Sequence, residues 1–245
     1  MPALRSVSPP RFPQRNEPGT PPVEQLNALR VNAPPPQPGR ANNTQNRMKK
    51  KANITIATLN INGASAPTAN LNLTDKWARI NSTMRENKIA LLALQETHLD
   101  DHNVDTITRC FGKSFTLLHS SDPLTPRAKA GVAIAVNKAL IPVDDFRTHV
   151  LVPGRAIMIQ LKWPDDNPLS ILNIYAPVKR HEQPNFWTTI ETMRREKHLP
   201  RPDFLLGDFN LTEDALDRAP PKHDNRQAAD SLRQIRLQWE IQDQW

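Results

Sequence analysis

Cysteine is nearly absent: Cys110 stands alone in 245 residues. One cysteine excludes a disulfide framework and any zinc module built on several cysteines, and it fits a reducing, intracellular setting. Cys110 itself reads as a small buried apolar residue. Tyrosine is equally scarce, with Tyr175 the single example. No run is long or apolar enough for a membrane span or for the core of a secretory signal. The opening MPALRSVSPPRFPQR is rich in arginine and poor in acid, as a transit peptide is, but Pro9, Pro10 and Pro13 break the amphipathic helix such a peptide needs. No internal repeat is present.

Charge is absent from most of the chain as a net quantity. Residues 1–52 hold nine Lys/Arg against two Glu, and residues 53–245 hold 23 Lys/Arg against 23 Asp/Glu. The formal +7 therefore sits wholly in the first segment. That segment also carries 11 of the 24 prolines, few large apolar residues and no sustained periodicity. It buries too little surface to offset its conformational entropy, so residues 1–52 are expected to be a disordered, Pro-rich basic tail. Arg47, Lys49, Lys50 and Lys51 close it. Such a cluster serves as a phosphate contact, a nuclear address or simply a solvated charge run.

From residue 53 the pattern changes. NITIATLNING (53–63), IALLALQETH (89–98), AGVAIAV (130–136), RAIMIQLKW (155–163), LSILNIYAP (169–177) and DFLLGDFN (203–210) read as strands, several of them apolar throughout and so covered on both faces. Helical spacing appears over 74–87, with Thr74 as N-cap and Trp77, Ile80 and Met84 inward. It recurs over 185–198 and over 224–241, where Ala228, Leu232, Ile235 and Trp239 form one stripe. The tryptophans Trp77, Trp187 and Trp239 are expected in the core. Strands mixed with helices argue for an α/β or α+β layered fold.

Four of the apolar runs end in polar residues: Asn60 and Asn62, Glu96, Tyr175, and Asp208 with Asn210. Ligands of layered sheets sit beyond strand ends. Residues at i and i+2 of a strand share a face, which points Asn60 and Asn62, and likewise Asp208 and Asn210, toward one pocket. A carboxylate costs several kcal/mol to bury unpaired, so Asp208 either faces water or has a task. Two carboxylates, three amides and a phenol form a hard, oxygen-rich set. It suits Mg²⁺ holding a phosphate better than zinc. The residues alone thus indicate a Mg²⁺-assisted phosphoester site. Each also has a plainer reading: Asp208 a turn residue, Glu96 a solvated strand-end charge, Tyr175 a hydroxyl satisfying the backbone, Asn62 the turn residue before Gly63.

TLNING, LALQETH, AKAGVAIAV, ILNIYAP and LLGDFN, in that order, resemble the endonuclease/exonuclease/phosphatase superfamily, whose fold is that of DNase I. QETHL, AGVAI and ALDR (215–218) are most similar to the apurinic/apyrimidinic-type endonuclease of LINE-type, non-LTR retrotransposons. The likeness covers residues 53–245 and implies a four-layer α/β sandwich of two packed sheets flanked by helices. It also implies roles. Glu96 would bind the metal, Mg²⁺ or Mn²⁺, with Asn62 beside it where repair enzymes of the family have Asp. Asn60 would hold the phosphate region, and Tyr175 would bond the phosphate or leaving oxygen. Asp208 would align or deprotonate the attacking water, and Asn210 would orient it. His98 belongs to the family string without an assigned task. The implied reaction is in-line hydrolysis of a DNA phosphodiester in the nucleus, leaving a nick that primes reverse transcription.

The family pattern closes with a strand carrying Ser-Asp-His. Here 35 residues follow Asn210, and His223-Asp224 lies in a Pro-flanked polar loop, not at a strand end. The resemblance therefore implies a domain incomplete at its C-terminus and impaired in catalysis. Two other functions fit less of the sequence: a superfamily phosphatase acting on a small phosphoester, and an inactive remnant binding nucleic acid through its basic tail.

Overall fold

The computed structural model of the chain describes residues 27–32, 53–63, 73–163, 168–212, 216, 220 and 224–242. Thirteen main elements follow in chain order: β1 (Asn27–Asn32), β2 (Asn53–Asn60), α1 (Leu73–Glu86), β3 (Ile89–Gln95), α2 (Asp101–Phe111), β4 (Phe115–Ser120), β5 (Val132–Asn137), β6 (Phe146–Val152), β7 (Ala156–Leu161), β8 (Leu169–Tyr175), α3 (Gln183–Glu196), β9 (Phe204–Asp208) and α4 (Arg226–Trp239). Their strands form two sheets, one in the order β1-β2-β3-β5-β4 and one in the order β6-β7-β8-β9. Both are mixed. β2 and β3 are parallel, as are β8 and β9, while the remaining neighbours are antiparallel.

Strand periodicity of two explains the layers. On β3, Leu91 and Ala93 face the second sheet and pack with Ile157, Ile159 and Ile171. The alternate residues Leu92 and Leu94 face outward onto Trp77, Ile80 and Met84 of α1 and Ile107 of α2. The second sheet repeats the arrangement, with Met158, Leu172 and Ile174 packing on Phe186, Trp187 and Ile190 of α3 and on Leu232, Ile235 and Trp239 of α4. The result is helices, sheet, sheet, helices: the four-layer α/β sandwich. Trp77, Trp187 and Trp239 are all buried, as their helical spacing requires.

Several local expectations change. Helix α1 begins at Leu73, so Thr74 lies inside its first turn and is not the N-cap. Helix α2 escapes a pattern reading because only Ile107 is buried on it. Asp100 caps it by accepting from the Asn103 N–H at 2.9 Å. Cys110 is exposed, not buried; it sits off the stripe that Val104, Ile107 and Phe111 turn inward. Strand β1 falls inside the segment expected to be disordered. It is held by antiparallel pairing from Asn27↔Thr58 to Asn32↔Asn53, main-chain bonds to a distant partner that composition does not reveal. Arg47, Lys49, Lys50 and Lys51 lie outside the described residues.

Candidate active site

The C-terminal ends of two parallel strand pairs meet at one end of the sandwich. Asn60 sits opposite Gln95 at the end of β2 and β3, and Tyr175 sits opposite Asp208 at the end of β8 and β9. The two pairs are joined by one side chain. Asn60 Nδ2 donates to Glu96 Oε1 at 3.0 Å and to Asp208 Oδ2 at 2.9 Å. An amide from the first sheet thus bridges a carboxylate of each sheet, linking residues 36 and 148 positions away in the chain.

Asn62 and Asn210 reach the same place by a route other than strand alternation. β2 ends at Asn60 and β9 at Asp208. Asn62 and Asn210 lie two residues on, both at φ +48. The Asn62 N–H donates to Asn60 Oδ1 at 2.9 Å, and the Asn210 N–H donates to Asp208 Oδ1 at 2.9 Å. Each strand therefore ends in a side-chain-closed turn of the kind Asn and Asp favour. Glu96 is also left-handed, at φ +49. Such backbone costs about 1 kcal/mol or more per residue. It is held by neighbours: Gly63 N–H donates to Glu96 O at 2.6 Å, and Asn210 Nδ2 donates to Ala176 O at 2.9 Å.

Asn60, Asn62, Glu96, Asp208 and Asn210 all line a cleft of about 830 Å³, with Thr58, Gln95, Arg180 and Thr212 among its other walls. Tyr175 does not line it and is buried beneath. Burial pushes the Tyr175 phenol up to about 12; a hydrogen bond to Glu96 and the charges of Glu96 and Asp208 add to the shift, and Arg155 opposes it. The hydroxyl is thus directed at Glu96, where the resemblance implied a phosphate. The Arg155 guanidinium carbon lies 5.4 Å from the Tyr175 ring centroid, and Nη1 donates to Tyr175 O at 3.2 Å. His98 is off the cleft lining, and burial lowers its pKa, with Lys76 adding to the shift and Glu96 opposing it.

Three supporting groups were not singled out from the sequence. Lys76 of α1 donates to Ile61 O, and to Gly63 O at 2.6 Å, so it clamps the turn that carries Asn62. Burial lowers its pKa. Asn173, fully buried in β8, pins the sheets together: Nδ2 donates to Leu94 O at 3.0 Å and Ala133 O at 2.9 Å, and Oδ1 accepts from Gln95 Nε2 at 2.6 Å. Gln183 at the start of α3 donates to Pro177 O at 3.0 Å and Phe209 O at 3.1 Å, tying the loops after β8 and β9. A buried unsatisfied amide would cost about 1–3 kcal/mol. The polar residue inside LSILNIY was the one sequence signal for this pin.

The donor set suits a hard divalent cation. Among the described residues no group of three or more His, Cys, Asp or Glu gathers as a metal cage. Glu96 and Asp208 are instead joined through one neutral amide, and neither has an ion-pair partner among the described residues. Two uncompensated carboxylates at the mouth of a polar cleft leave negative charge for a cation to neutralise. Mg²⁺ is commonly held by one or two carboxylates, with water and phosphate oxygens completing its shell.

Comparison with known proteins agrees with this geometry. The model of the Endonuclease/Exonuclease/phosphatase family matches residues 57–244. The chain belongs to that family. Its sequence is 25% identical over 198 residues to the Transposon TX1 uncharacterized 149 kDa protein of Xenopus laevis, covering 78% of this chain and 14% of that protein's length. Its fold is similar to that of the AP endonuclease LMAP from Leishmania major (TM-score 0.58, 15% identity, 75% of this chain and 66% of that one). It is also similar to an AP endonuclease from Archaeoglobus fulgidus (TM-score 0.53, 17% identity, 76% and 70%). At those identities the two structures establish the fold, which is DNase I-like, and the family membership places the chain among hydrolytic nucleases and phosphoesterases. No helix among the described residues is long and apolar enough to cross a membrane.

Proposed function

We propose that the chain is a Mg²⁺-dependent DNA endonuclease of the retrotransposon type, acting by in-line hydrolysis of a phosphodiester. The observation that carries this reading is the Asn60 amide shared between Glu96 and Asp208 at the head of a polar cleft. Glu96 would hold the cation with Asn62 beside it, and Mn²⁺ would serve in place of Mg²⁺. The cation would supply neutralisation of charge developing on the phosphate oxygens. Asp208 would accept a proton from the attacking water, and Asn210 would fix the Asp208 carboxylate through its N–H. Asn60 would keep the two carboxylates in register, and Tyr175 would steer Glu96 by donating its hydroxyl proton. The likeness to a transposon protein supports nicking of chromosomal DNA in the nucleus as the setting.

The rate of this chain is proposed to be low. His223 lies outside the described residues, and none of the described histidines lines the cleft to polarise the phosphate or protonate the leaving oxygen. Loss of one member of a cooperating set costs several orders of magnitude. The test is nicking of supercoiled plasmid by the full chain in Mg²⁺ and in EDTA, beside Asp208→Asn. Slow Mg²⁺-dependent nicking that the variant lacks is expected. Turnover of small soluble phosphoesters without nicking would instead make the chain a phosphatase.

A further inference from the structure

One cation lines the cleft among the described residues, and it is Arg180. It opens the short turn Arg180–Glu182 between β8 and α3. A guanidinium beside two uncompensated carboxylates is drawn toward them. Arg180 is instead held by a third acid: its Nη2 lies 2.5 Å from Asp224 Oδ1. The Asp224 side chain is wholly buried and that of Arg180 is 36% exposed. Asp224 is fixed from the other side, where its Oδ2 accepts from Thr212 N–H at 2.8 Å and Thr212 Oγ1 at 3.2 Å. One buried carboxylate therefore joins the turn after β8, the loop after β9 and the approach to α4. It holds a guanidinium at the cleft wall with donors to spare.

From this arrangement we infer that Arg180, anchored by Asp224, is a backbone-phosphate contact, and that it selects polynucleotide over small phosphoesters. The inference rests on the proposed hydrolysis of nucleic acid and names how that substrate is held. A guanidinium has five N–H donors in a planar fork that matches phosphate oxygens. Asp224 engages one edge and compensates part of the cost of ordering the rest. A small phosphoester at Asn60 and Asp208 has no second phosphate to offer. A strand lying along the cleft does. Without Asp224, the guanidinium would fall onto Glu96 or Asp208 and compete with the cation.

The test is binding of the full 245-residue chain to a fluorescent DNA duplex in EDTA across a salt series, by anisotropy, for wild type, Arg180→Gln, Arg180→Lys and Asp224→Asn. Arg180→Gln is expected to weaken binding roughly tenfold and to reduce the slope of log K against log salt by about one. Arg180→Lys should keep the slope, and so guards against a variant that merely loosens the loop. Asp224→Asn should weaken binding and lower the slope toward that of Arg180→Gln, because the released guanidinium pairs with Glu96 or Asp208 and no longer meets a phosphate. Equal slope and affinity for wild type and a folded Arg180→Gln would overturn the inference, as would loss of slope in Arg180→Lys. Nicking is not needed for any of these readings. A chain that binds this way without cutting would sink the hydrolysis proposal and leave this one standing.

Discussion

Tyr175 offers a direct reading of the site because it is the chain's single tyrosine. Its phenol, raised to about 12 by burial and by Glu96, stays protonated through any ordinary assay pH. Tyrosinate absorbance should therefore appear near pH 12 and not near 10, and Glu96→Gln should bring the onset down. The folded state binds a proton more tightly than the unfolded one here. That stabilisation is complete below about pH 10 and is lost as pH rises toward 12. An onset near 10 would mean the hydroxyl is not packed against Glu96. At this scale the sequence named most of the carboxylates and amides that converge, since strand-end polar residues stand out against apolar runs. It did not reveal how Asn62 and Asn210 arrive, because left-handed turns closed by Asn60 and Asp208 replace the strand alternation that pattern reading assumes. Nor did it reveal Lys76, whose partners are main-chain carbonyls with no residue signature.

Elements are fixed to one another by a few polar contacts. Glu191 of α3 accepts from Arg194 Nε at 2.8 Å, Arg195 Nε at 2.6 Å, Gln238 Nε2 at 2.8 Å and Trp239 Nε1 at 2.8 Å. It thereby docks α4 onto α3. Burial alone would raise its carboxyl; the bonds from Arg194, Trp239 and Arg195 outweigh that and hold it at about 2. A depressed pKa stabilises the fold above the ordinary value of 4.5, and this contribution fades as pH falls toward 2. Glu191→Ala should cost about 2–3 kcal/mol in urea unfolding at neutral pH, with a smaller loss at acid pH. An unchanged midpoint would mean α4 docks by its apolar stripe alone. Gly207 in β9 is the second such point. It sits at φ +134, and an added Cβ would lie 2.0 Å from Ile174 O. Gly207→Ala should destabilise by more than about 1 kcal/mol and displace Asp208, so that divalent-ion stabilisation falls with it. Strands with unbroken apolar runs were readable from sequence. β1, β4, β6 and α2 were not, because their faces are partly exposed or their pairing is remote.

Across the whole molecule, the site exists only because two sheets are stacked. Parallel pairing within each sheet brings one carboxylate to the same end, and Asn60 spans the gap. Asn173 beneath it sets the spacing of the sheets. The proposed chemistry requires a cation on Glu96, in the field of the Asp208 carboxylate that takes the proton from water. Mg²⁺ binding by calorimetry, on wild type, Glu96→Gln and Asp208→Asn, tests this most directly. A saturable single site in wild type is predicted, with thermal stabilisation of about 2.7 kcal/mol at a hundredfold excess over Kd. Glu96→Gln should lose both effects, and Asp208→Asn, which removes a neighbouring charge and not the ligand, should weaken both. Binding that is absent in the wild type, or equal in all three proteins, would contradict the account.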